Sequence, residues 1–141
     1  MSRLSDIPIL VENDEDPKDN RSIATHVLRE IKGLLAKFLD TGATGAIDLR
    51  AVPHMDPATY RYLRQALMTG EVTALIDADI KVEVTETQYP GVWWLTHRNA
   101  DDEIVTEIID ITLMPDILKT HVAEMRAGLK RLDQALSASA A

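Results

Sequence analysis

The chain has 141 residues, 45% of them apolar and 27% charged, and its 15 basic and 23 acidic side chains leave a net charge of −8. That length and balance suit one globular domain with its own core rather than a disordered chain, and an acidic balance without a basic stripe argues against nucleic acid and anionic membrane as partners. The absence of cysteine excludes disulfides, thiolate catalysis, thiolate-held zinc and a cysteine-held iron–sulfur cluster.

Met1 to Val11 carries a small apolar group, Ile7, Ile9, Leu10 and Val11, broken by Pro8. Glu12, Asp14, Glu15, Asp16 and Asp19 against Lys18 then supply −4 of the net charge. Residues 1–20 read as an acidic N-terminal tail and residues 21–141 as a single α+β domain. No basic region precedes an apolar run of signal-peptide length, and no segment approaches the roughly 20 apolar residues of a membrane span, so a cytoplasmic protein is expected.

From Arg21 to Asp40, Ile23, Val27, Ile31, Leu34, Leu35 and Phe38 recur at three- and four-residue steps, the pattern of an amphipathic helix, and Gly42 follows as a stop. Ala46 to Val52 alternates apolar with polar residues and predicts a half-buried strand closed by Pro53, with Asp48 and Arg50 sharing its outer face. Asp56-Pro57 is a helix start, an N-cap oxygen followed by proline at the first helical position. Tyr60, Leu63, Ala66 and Leu67 give that helix one apolar face, and Gly70 is expected to end it.

Four strands are predicted next, Val72 to Ile76, Ile80 to Thr87, Val92 to Arg98 and Glu103 to Ile111. The connections between them are too short for parallel crossovers, so an antiparallel meander is expected. In the second strand Ile80, Val82 and Val84 face one way and Lys81, Glu83 and Thr85 the other, which leaves one sheet face wet. Pro115 is expected to open the last helix, with Asp116 near its positive end, Arg126, Lys130 and Arg131 toward its negative end, and a stripe of Ile117, Leu118, Val122, Met125, Leu129, Leu132 and Leu136. The sum is an α+β fold: a mainly antiparallel sheet of about five strands with three helices packed on one face.

Residues suited to chemistry are scattered. His26, His54, His97 and His121 fall on separate elements without metalloprotease spacing, so no metal or other cofactor is expected. Glu83 and Glu86 point to opposite faces, and Glu86, in phase with Val82 and Val84, needs a partner such as Thr87, Arg98 or an N–H of the Pro90-Gly91 turn unless it sits at a solvated strand end. Glu107 and Asp110 also diverge, as on a solvated strand face. No nucleophile, base and orienting acid stand together and the glycines form no phosphate loop, so no catalytic residue is assigned and no enzyme is expected.

Trp93 and Trp94 are adjacent on one predicted strand, so their rings point to opposite faces. If one ring is core, the other leans outward or covers the sheet edge, where a tryptophan suits an interface. Tyr89 extends that patch. The expected contact set is Glu86, Thr87, Tyr89, Pro90, Gly91, Trp93 and Trp94.

Gly70-Glu71-Val72, Glu86-Thr87, Pro90-Gly91-Val92-Trp93, Ile108-Ile109-Asp110-Ile111 and Pro115, in that order over roughly Leu34 to Leu118, resemble the C-terminal domain of the hydrogenase expression/formation proteins of the HupH or HyaF type. The resemblance implies an accessory, chaperone-like role in nickel–iron hydrogenase maturation, with the hydrogenase small subunit or another maturation protein as partner. Members of that family are longer and contain two related domains, and a single-domain version could restore that arrangement as a homodimer through a sheet edge or the tryptophan patch. The competing expectation is a small-molecule-binding or hydrolytic domain that uses Glu86 with His97.

Overall fold

The first helix, α1 (Pro17–Thr41), starts four residues before the expected Arg21, with proline in its first turn, where a missing N–H costs nothing. The computed structural model describes the backbone of residues 17–140 and the side chains of residues 21–139. The acidic stretch expected as a tail, up to Asp16, lies outside the described residues. Along α1, Ala24, Val27 and Ile31 are buried, and Leu28, Leu34, Leu35 and Phe38 pack beside them. Gly42 ends the helix at φ +78°, its N–H donating to the Phe38 carbonyl at 2.7 Å.

The first strand, β1 (Gly45–Asp48), is shorter than the run to Val52 expected from alternation. Asp48 Oδ1 accepts from the Arg50 N–H at 3.0 Å and folds Leu49 to Ala51 into a 3₁₀ turn that buries Leu49. The second helix, α2 (Pro57–Leu67), begins as expected, with Asp56 Oδ1 accepting from the Thr59 N–H at 2.7 Å. Hydrogen bonds from Thr59 hold the Asp56 carboxyl below its ordinary value. Gly70 does not cap this helix; Met68, at φ +54°, does.

Strands β2 (Thr73–Asp77), β3 (Lys81–Glu86), β4 (Val92–Arg98) and β5 (Ile104–Ile111) form the expected antiparallel meander. The sheet order is β1-β5-β4-β3-β2, so α2 carries the chain from one edge to the other. Register and alternation assign the two faces. Ile47, Val92, Trp94, Ile109 and Ile111 lie on one face with Ala24, Val27, Ile31, Leu63 and Leu67 of α1 and α2 in the main core. Val82, Val84, Trp93 and Leu95 form a second buried cluster on the opposite face, packed with Ala74, Ile76 and Leu118. Lys81 and Glu83 are exposed as expected, and by register they lie on the helix-bearing face, which the main core does not reach at β2 and β3.

Two packing expectations are corrected here. Neither tryptophan leans outward: Trp93 is 7% exposed and Trp94 2%. The alternation is right, but β4 lies under one core on each face, so both directions lead inward. The last helix, α3 (Val122–Ala140), starts seven residues after Pro115 and does not lie on the sheet. Pro115 instead caps a single 3₁₀ turn, Asp116 to Leu118, closed by the Leu118 and Lys119 N–H groups at 3.0 Å. Lys119 is extended, and the chain re-enters helix with the His121 carbonyl accepting from Glu124 and Met125. The fold is therefore α+β with five antiparallel strands and three helices, of which α1 and α2 cover the sheet while the stripe of α3 faces solvent.

Two measurements check the double burial. Iodide should quench the emission of neither tryptophan efficiently, and Trp94→Ala should lower unfolding free energy in urea by about 3–5 kcal/mol, as for large aromatic truncations in a core.

Candidate functional site

The resemblance motifs meet in space at one end of the sheet. The Gly70 N–H donates to the Glu86 carbonyl at 2.7 Å, and the Glu86 N–H to the Val72 carbonyl at 2.9 Å. Glu86 Oε1 accepts from the Glu71 N–H at 3.1 Å. The carboxylate thus has a backbone partner, from the Gly70-Glu71 side rather than from the Pro90-Gly91 turn. A Cβ at Gly70 would sit 2.6 Å from both Glu86 Oε1 and the Thr87 carbonyl, so this crossing needs glycine.

Thr87 organises the turn itself. Its hydroxyl donates to the Val92 carbonyl at 2.8 Å and accepts from the Tyr89 N–H at 3.2 Å. Gly91, at φ +89°, reverses the chain, and its carbonyl accepts from the Thr112 N–H at 3.0 Å. Trp93 Nε1 donates to the Thr112 carbonyl at 3.1 Å, and Gln88 Nε2 ties the turn to the Ala66 carbonyl at 2.8 Å. Every link runs to backbone, so the turn is held in one shape.

That frame presents Tyr89, 46% exposed, and Pro90 to solvent. Beside them lies an apolar groove of about 270 Å³ walled by Leu28, Ile31 and Leu35 of α1 with Leu67, Tyr89 and Val92, and Lys32 at its rim. The structure places the seven expected contact residues in two roles. Tyr89 and Pro90 are on the surface, whereas Thr87, Trp93 and Trp94 are buried, with Glu86 and Gly91 shaping the turn between them. The α1 wall was not anticipated as part of a site, because its residues read simply as the core stripe of a helix.

A second polar cluster corrects the expectation of a solvated Glu107, which is 7% exposed. One oxygen, Oε2, accepts from Tyr60 Oη at 2.6 Å, Trp94 Nε1 at 2.9 Å and Thr96 Oγ1 at 3.4 Å. Tyr60 meets the Trp94 ring edge-on at 5.6 Å, and the Arg64 guanidinium lies 4.3 Å from the Trp94 ring centroid. Burial, reinforced by the hydrogen bond to Glu107, pushes the Tyr60 phenol up to about 12. A cavity of about 280 Å³ opens beside the cluster, lined by Leu49, Arg50, Val52, Met55, Tyr60 and Glu107. The signal for this burial was present: Glu107 is in phase with Ile109 and Ile111.

Glu86 and His97 are not brought together. Both share one face of the sheet, but Glu86 pairs with Trp93 while His97 pairs with Val82, a separation of about 13 Å at the rise of a strand. Neither lines the cavities just described. Among the described residues, no three His, Asp or Glu side chains gather as a metal-binding group, and no helix is long and apolar enough to cross a membrane.

The fold and site define a small α+β module that displays a rigid turn beside an apolar groove. The chain belongs to the family described as the HupH hydrogenase expression protein, C-terminal conserved region, whose profile matches residues 22–139. It is 25% identical over 107 residues to the hydrogenase expression/formation protein HoxQ of Azotobacter vinelandii, covering 70% of this chain and 38% of that protein. It is 27% identical over 97 residues to the hydrogenase expression/formation protein HupH of Rhodobacter capsulatus, covering 69% and 35%. The chain therefore spans little more than a third of the length of these relatives. A solved structure of the hydrogenase expression protein HupH from Thiobacillus denitrificans superposes with a TM-score of 0.75 at 35% identity, covering 81% of this chain and 94% of that one.

Two variants test the geometry. Gly70→Ala should destabilise by about 1–3 kcal/mol, because a backbone carbonyl cannot yield to the new methyl group. The raised Tyr60 value favours the protonated phenol in the folded state, so its contribution is complete below 10.0 and is lost as pH climbs from there through about 12. Urea midpoints of the wild type and Tyr60→Phe should accordingly differ most below pH 10.0 and converge toward pH 12.

Proposed function

We propose that this chain is a non-enzymatic accessory protein of nickel–iron hydrogenase maturation that binds a hydrogenase precursor, its small subunit foremost, or another maturation factor. Family membership and the names of the relatives support the hydrogenase connection. The observation that carries the binding mode is the exposed Tyr89 at the lip of the α1 groove, fixed there by a turn whose hydrogen bonds all run to backbone. A preorganised aromatic beside an apolar cleft is suited to anchoring an apolar segment of a client, since little further ordering is required on binding. Lys32 at the rim would meet a carboxylate on that segment.

In this reading Tyr89 and Pro90 touch the client. Glu86, Thr87 and Gly91 hold the turn, and Trp93 and Trp94 support it from inside the two cores. The competing hydrolytic reading loses its geometry with the separation of Glu86 from His97.

Tyr89→Ala and Lys32→Glu alter exposed groups and should leave circular dichroism and thermal unfolding close to wild type. Both should reduce co-purification of the hydrogenase small subunit, and the double variant should abolish it. Undiminished retention by the folded double variant would remove the groove from the interface.

A further inference from the structure

On α3, Val122, Met125, Leu129, Leu132 and Leu136 succeed one another at steps of three, four, three and four, and they are 58–68% exposed. In proteins most helical stability comes from packing of an amphipathic face rather than from propensity, and a stripe with a 3.5-residue period is the seam of a coiled coil. The remaining residues indicate what covers it.

With Val122 at heptad position a, the seam is flanked on one side by Arg126 and Asp133 at e and on the other by Gly128 and Ala135 at g. Reversing one copy of the helix against another about a point near Leu129 places Val122 opposite Leu136 and Met125 opposite Leu132. The same operation sets Arg126 of each copy beside Asp133 of the other, so each flanking charge is paired and the seam carries two such pairs. On the opposite flank Gly128 and Ala135 let the two backbones approach closely. Within one chain nothing calls for glycine at 128, since a Cβ there would meet only the Arg131 guanidinium, at 3.7 Å. A parallel pairing would put Arg126 and Asp133 against the uncharged g positions instead.

We infer that α3 is a dimerisation element that pairs antiparallel with α3 of a second copy of this chain. Pairing along the helix buries on the order of 1,000 Å² over both copies, the lower end of specific interfaces, so a dimer in the micromolar range is expected. Leu113, Met114 and Ile117, exposed ahead of α3, extend the apolar surface. No residue of α3 lines the Tyr89 groove, and the pairing does not depend on the maturation role.

The absence of native cysteine makes the register directly readable by engineered disulfides in the full chain. Leu129→Cys should oxidise to a covalent dimer. Val122→Cys alone should not, because antiparallel pairing sets its two copies about 20 Å apart, whereas a mixture of Val122→Cys and Leu136→Cys should cross-link. In sedimentation equilibrium the wild type should be dimeric at concentrations on the order of 100 μM. Leu132→Asp should be monomeric, with the thermal midpoint that the wild type shows when diluted until it dissociates. Arg126→Asp should weaken association roughly tenfold or more by like-charge contact, and Arg126→Asp combined with Asp133→Arg should restore it. The inference is overturned by a monomeric wild type, by self-cross-linking of Val122→Cys, or by a dimer that survives Leu132→Asp. A monomer that needs Leu129 only to retain a hydrogenase subunit would likewise assign α3 to a client.

Discussion

The structure depends on β4 being covered from both sides. A strand buried on one face alternates apolar with polar residues, and β4 does not: Val92 to Thr96 are all buried. The helices cover β1, β5 and β4 on one face, and the segment after β5 lays Leu118 against β4 and its β3 neighbour on the other. The two cores are offset along the sheet and overlap at β4. Neighbouring tryptophans in one strand, costly to place if either face met water, are the residues such an overlap requires.

Burial of two indoles sets two polar conditions, which β5 and the residue that follows it meet. Trp94 Nε1 finds Glu107 and Trp93 Nε1 finds the Thr112 carbonyl, one on each face. An indole N–H left unmatched would lose the full desolvation cost of that group. Glu107 is in turn tolerated at 7% exposure because three neutral donors converge on one of its oxygens. The carboxylate and the tryptophan therefore stabilise each other's burial, and Tyr60 closes the set from α2.

Local patterns in the sequence were sufficient for α1, the Asp56 cap, and the meander with the three turns that connect its strands, since each depends on residues adjacent in the chain. The contact surface was legible in part: Tyr89 and Pro90 follow from their place in a turn, but the groove beside them depends on which side of α1 is left uncovered. The errors of burial share one cause. Whether Trp93, Glu107 or the α3 stripe is exposed is decided by elements distant in sequence, and alternation reports direction without reporting what lies there. Gly70 was misread for the same reason: it resembles a helix stop, but its missing side chain is required by Glu86 and Thr87, more than a dozen residues away.

Hairpin turns alternate between the two ends of an antiparallel sheet, and here that gives the molecule a polarity. The Thr87 to Val92 turn, tied to α2 and to β5, lies at one end. The Asp77 to Lys81 and Asn99 to Glu103 connections lie at the other, and the second is closed by its own neighbours: Asn99 Oδ1 accepts from the Asp101 and Glu103 N–H groups, and the Arg98 guanidinium donates to the Asp102 carbonyl. Extra residues at that far end would lengthen a self-contained loop and disturb neither core. It is where this domain can accept an insertion, a fluorescent label or a fusion partner while keeping the face around Tyr89 free.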